Sequence, residues 1–103
     1  MQPESQDATE VWATALRELW QAAGEPTGKA LIRQAAAQRP RVKMTAQSWS
    51  DWRNGKNVPS EQRTALWLVA HLRAQASRTS PTFEGKPDAW WQKMWQQARA
   101  ERA

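Results

Sequence analysis

Thr45-Ala-Gln-Ser-Trp-Ser-Asp-Trp-Arg-Asn-Gly-Lys-Asn-Val-Pro59 is the stretch on which the reading of this chain turns. Thr45 is a helix N-cap residue, and Gly55 can take the left-handed backbone that closes a helix. Between them Trp49 and Trp52, three residues apart, fall on one face and anchor it. Ala46, Gln47, Ser48, Ser50, Asp51 and Arg53 occupy the remaining faces, and all but Arg53 are small or short polar side chains. A short helix divided in this way is held in a core on one side and is free to enter a groove on the other.

The flanking chain reads as helical throughout. Asp7-x-x-Glu10 has the spacing of a capping box and opens a helix whose apolar stripe is Trp12, Leu16, Leu19, Trp20 and Ala23, with Gly24 as its stop. Pro26-Thr27 starts a second helix, Gly28 to about Gln38, with Leu31, Ile32, Ala35 and Ala36 available for burial. The connector Arg39-Pro-Arg-Val-Lys-Met44 is several residues long, so turn geometry alone does not set how the second and third helices meet; Val42 and Met44 are expected to pin it to the core. Beyond Pro59, Ser60 is expected to cap a fourth helix to about Ala76 that is apolar on more than one side, and therefore central. Residues 77–87 read as a linker, and Asp88 opens a last helix carrying Trp90, Trp91, Met94, Trp95 and Ala98. The expected fold class is all-α: a single domain spanning 1–103, with a core over 7–76, a linker over 77–87 and a C-terminal helix over 88–103. The end, from Ala98 to Ala103, carries no helix stop, as in a chain that continues into a longer protein.

Charge is unevenly placed. The net charge is +5. Residues 1–27 hold Arg17 against five acids, whereas residues 28–57 hold Lys29, Arg33, Arg39, Arg41, Lys43, Arg53 and Lys56 against Asp51 alone. Concentrated cations around the candidate helix are the electrostatic footprint of phosphate contact. The N-terminal residues lack the basic flank and apolar stretch of an export signal, no apolar run is long enough for a bilayer, and there is no Cys, so a cytoplasmic protein without membrane contact is expected.

The order Leu16-Arg-Glu-Leu19, Leu31-Ile-Arg-Gln-Ala35, the Thr45–Pro59 string and Leu68-Val69 resembles the XRE or phage-repressor type of helix-turn-helix. It is closer to the variant at the N-terminus of many actinobacterial proteins, in which a Trp-x-x-x-Trp-x-x-Ala-Arg helix follows; Trp91, Trp95, Ala98 and Arg99 match that tail. The resemblance implies a lambda-repressor-like core with an extra helix and sequence-specific binding of double-stranded DNA, in a transcriptional regulator or DNA-tethering module. Thr45 then falls on the phosphate-contacting helix start, Ala46, Gln47, Ser50 and Asp51 on base-facing positions, and Asn54, Lys56 and Asn57 on the backbone-contacting turn.

The residue types suit those roles, since Gln pairs with adenine, Arg with guanine and Asp with the cytosine amino group. Asp51 is nevertheless an acid facing a polyanion. The full base-reading set is Ala46, Gln47, Ser48, Ser50, Asp51 and Arg53; Lys29, Arg39, Arg41, Lys43, Thr45, Asn54, Lys56 and Asn57 are the expected phosphate contacts. Two adjacent tryptophans on one helix cannot both point inward, so one of Trp90 and Trp91 is expected to be exposed, covered by residues 77–87 or part of a dimer face. Trp90, Trp91 and Trp95 are the candidate face for a homodimer, a fused domain or a partner protein, and an adaptor module is the second function class. The sequence carries no enzyme motif, metal-ligand spacing or cofactor signature, and no small-molecule substrate suggests itself.

Overall fold

A computed structural model describes residues 7–102 as five helices: α1 (Ala8–Ala22), α2 (Gly28–Ala36), α3 (Ala46–Arg53), α4 (Gln62–Thr79) and α5 (Asp88–Arg102). The fold class is all-α, and no helix among the described residues is long and apolar enough to cross a membrane.

Local chemistry sets most helix ends. Asp7 accepts from the Glu10 N–H, Thr27 from Ala30 and Thr45 from Ser48, each bond satisfying a first-turn donor. After α1 the Gly24 and Glu25 N–H groups return to the Gln21 and Trp20 carbonyls, with Gly24 at φ +89°. After α3, Gly55 at φ +76° lets the Lys56 N–H reach the Asp51 carbonyl. Both are Schellman closures, which need a residue in the left-handed region.

Helix α4 departs from expectation at both ends. Glu61, not Ser60, holds the N-cap position in extended backbone, and its side chain makes no capping bond. At the far end α4 runs through residues 77–79, because Ala76 is buried and nothing before Pro81 breaks a helix; the linker shortens to 80–87.

Helix α1 is the centre of the domain, packed on α5, α4 and α3, while α2 packs on α3. It therefore buries Ala13 and Ala15 as well as the expected Trp12, Leu16 and Leu19. Helix α4 contributes Ala65, Leu68, Val69 and Leu72, but its Leu66 points to solvent.

The C-terminal helix is integral to this core. Trp91 is 3 % exposed and meets the fully buried Trp12 edge-to-face, ring centres 5.7 Å apart. Trp95 is half-buried and donates its indole N–H to the Pro59 carbonyl at 2.7 Å, tying α5 to the chain that leaves α3. Glu101 accepts from the Ala8 N–H at 3.0 Å, so a carboxylate from the last helix caps the first, where the helix dipole favours negative charge. Trp91 is thus spent inside the molecule, while Trp95 keeps a partly open side with its indole N–H committed to Pro59. Trp90 also keeps a partly open side, with the Lys86 ammonium 5.3 Å from its ring centre.

Candidate functional site

With 100° per residue along α3, Trp49 and Trp52 define the inner side and the opposite side belongs to Gln47, Ser50, Asp51 and Asn54. Exposure follows that wheel. Trp49 and Trp52 are 3 % and 5 % exposed, Gln47 and Asn54 lie open, and Ser50 and Asp51 are partly open. The outer side is also pre-ordered by its own hydrogen bonds. Gln47 Nε2 donates to Asp51 Oδ1 at 2.8 Å and Asn54 Nδ2 to Ser50 Oγ at 3.3 Å. The Gln47–Asp51 bond spans one helical turn, and it leaves the second amide hydrogen and Oε1 of Gln47 free.

The six positions expected to read bases do not share one side. Gln47, Ser50 and Asp51 form the outer surface. Ser48 turns the other way, lining a hollow of about 250 Å³ with Lys43, Trp52 and Pro59. Ala46 and Arg53 lie on the flank toward α2. Arg53 is the clearest departure: its guanidinium carbon sits 5.1 Å from the Trp20 ring centre and 4.9 Å from that of Trp49. A cation lodged in the corner of two nearly perpendicular indoles is held against the protein and does not extend outward as a base-reading arginine would.

Of the expected phosphate contacts, Lys29, Arg39, Arg41, Lys43, Thr45, Asn54 and Lys56 are exposed and Asn57 is half-buried. Arg39 folds back, donating to the Ala36 and Gln38 carbonyls at the end of α2, where it satisfies orphan acceptors. The other cations flank α3: Arg41 and Lys43 just before it, Lys56 just after it, and Lys29 at the start of α2. Asp51 is the only acid among residues 28–57 and already accepts a hydrogen bond, while Glu61 lines the hollow beside Lys43 and Glu10 lies next to Gly55.

The long connector is held by tertiary contacts. Val42 is buried and its N–H returns to the Ala35 carbonyl at 3.0 Å; Met44 is buried as well. Arg63, from α4, donates to the carbonyls of Pro40 and Arg41. Gly28, at the start of α2, lies so close to Trp49 that a Cβ there would stand 2.9 Å from the indole Cδ1. At the other end of α3, Arg17 from α1 donates to the Arg53 carbonyl. Sequence reading missed Arg17 and Arg63 as positioning residues, because neither has a local partner that would mark it.

No family model matches the chain, and neither curated proteins nor solved structures include a recognisable relative.

Proposed function

We propose that this protein binds double-stranded DNA, with the outer side of α3 in the major groove, as a transcriptional regulator or as the DNA-tethering module of a larger protein. The observation that carries the reading is the combination on one short helix: two buried tryptophans behind, an open and internally hydrogen-bonded polar side in front, and exposed cations at both ends. The resemblance of the Thr45–Pro59 string to phage-repressor helix-turn-helix proteins points the same way.

In this reading Asp51 orients Gln47. One amide hydrogen is committed to the carboxylate, and the remaining hydrogen and Oε1 are the donor and acceptor that adenine N7 and N6 require. Thr45 and the start of α3 face a phosphate, where the helix dipole favours the anion, and Arg41, Lys43, Lys56 and Lys29 neutralise others. A single small module buries only about 600–1,000 Å² on DNA, so specific binding calls for a second copy or a further domain. The setting is cytoplasmic, in keeping with a chain that has no cysteine.

The test is a fluorescence titration of labelled genomic duplex fragments across a range of salt concentrations. With about six phosphates engaged, log affinity should fall against log salt with a slope near −5. Gln47→Ala should relax preference at one base pair by about 1–3 kcal/mol while leaving that slope unchanged. A duplex affinity that ignores salt refutes the reading. The adaptor alternative would rest on Trp90, the partly open member of the adjacent pair, because Trp91 is in the core.

A further inference from the structure

The flank of α3 that turns toward α2 borders an open groove of about 480 Å³, lined by Trp20, Lys29, Ile32, Ala46, Trp49 and Arg53. Its size lies within the range of small-ligand sites, and its make-up is that of one: apolar and aromatic walls with a few polar groups. Ala46 is exposed, and Ile32 is only partly covered.

The two cations are the informative part. Arg53 is held in place by the Trp20 and Trp49 rings, and its Nε is buried without a hydrogen-bond acceptor. Among the described residues the only ion pair is Arg73–Asp88, far along the chain from this groove, so neither Arg53 nor Lys29 has a carboxylate partner. Asp51, the one acid on α3, bonds Gln47 on another side of the helix. A neutral apolar occupant would desolvate the guanidinium further and leave it unpaired, which is costly. The occupant must therefore bring an anion together with a flat apolar body.

We propose that this groove binds a small aromatic carboxylate, with its ring on Ile32, Ala46 and the indole edges, and its carboxylate on Arg53 and Lys29. The planar guanidinium offers paired donors that suit a carboxylate, and contact with the two indoles has already restricted its motion, so little is lost on binding. A free acid fits better than a docked peptide helix. The large hydrophobic side chains most open to solvent, Leu66 and Phe83, lie on α4 and in the linker, so the groove does not continue into a longer apolar track. The proposal stands independently of DNA binding.

The experiment is a titration of the ¹⁵N-labelled full chain with 2-naphthoate, followed by amide and indole N–H shifts. Saturable shifts are expected at residues 28, 29, 32 and 46 and at the indoles of Trp20 and Trp49. Removing the charge in 2-naphthamide should weaken binding by about tenfold or more. Arg53→Lys, which keeps the charge but loses the planar fork, and Lys29→Ala, at an exposed site, should each weaken it about fivefold or more with the rest of the spectrum unchanged. Absence of saturable shifts up to about 10 mM, equal binding of the amide, or shifts centred on residues 80–87 would overturn the proposal. So would an acidic peptide, acetyl-Asp-Asp-Trp-Asp-Asp-amide, binding this groove at least about tenfold more tightly than naphthoate.

Discussion

Replacing Gly28 with alanine should destabilise the domain even though it improves helix propensity. Gly28 is the first residue of α2 and does not have a positive φ, so an alanine there meets no backbone strain and should gain up to about 0.5–1 kcal/mol from reduced chain entropy. Its Cβ, however, would stand 2.9 Å from Trp49 Cδ1 and 3.5 Å from Nε1, whereas carbon pairs prefer about 3.5–4.0 Å. The indole cannot simply turn away. It is 3 % exposed, set edge-on to Trp20 with ring centres 6.0 Å apart, and covered by the Arg53 guanidinium at 4.9 Å. Forcing an extra methyl into such a place costs about 1–3 kcal/mol, which outweighs the propensity gain and leaves a net loss of about 0.5–2 kcal/mol. For a domain of this size the midpoint of thermal unfolding should fall by about 2–15 °C, measured by circular dichroism. Gly85→Ala is the matched control: its Cβ would also lie 2.9 Å from an aromatic carbon, Phe83 Cε2, but Phe83 is 36 % exposed in the linker and has room to move. That variant should stay within about 0.5 kcal/mol of the parent. If Gly28→Ala melts at or above the parent temperature, or if Gly85→Ala falls as far, the argument from packing against Trp49 is wrong.

Trp91→Ala should cost about 3–5 kcal/mol in urea unfolding, a large share of the stability of a small domain; a loss under about 1 kcal/mol would mean that α5 is only loosely attached. Arg63→Ala removes the donor to the Pro40 and Arg41 carbonyls, which is expected to raise amide-hydrogen exchange across residues 39–45 while leaving α1 and α5 protected; unchanged exchange there would show that the buried Val42 and Met44 suffice. His71 stacks on Trp67 with ring centres 4.9 Å apart, and burial, reinforced by Arg78, lowers its pKa below 6.5. The folded state therefore binds the proton less readily than the unfolded state, so His71's contribution is fully present above pH 6.5 and is lost as pH falls from there through the lowered value. His71→Gln should flatten the corresponding slope of stability against pH, and an unaltered slope would assign it to other groups.

What was legible in the sequence was what short-range chemistry decides. Asp7, Thr27 and Thr45 are capping residues whose partners lie three positions on, and Gly24 and Gly55 close helices by a conformation that few other residues adopt. The tryptophan spacing likewise identified the buried side of α3. Ser60 misled because α4 begins one residue later than its capping position requires, so that Glu61 stands at the N-cap. The long side chains were harder. Arg53 could extend outward, and its placement between Trp20 and Trp49 depends on where α1 ends relative to α3. Arg17 and Arg63 act on carbonyls 36 and 22–23 residues away, and Trp95 on one 36 residues away, so no local pattern announces them. Of the adjacent pair Trp90 and Trp91, only the packing of α5 against Trp12 decides which turns inward.

The bond from Glu101 to the Ala8 N–H brings the first and last helices to the same corner of the molecule. A fold in which residues 8 and 101 meet in this way can be re-cut without altering its core. Joining Glu101 to Asp7 through a few glycines and opening the backbone among the exposed residues 81–86 would yield a rearranged protein in which all five helices retain their neighbours.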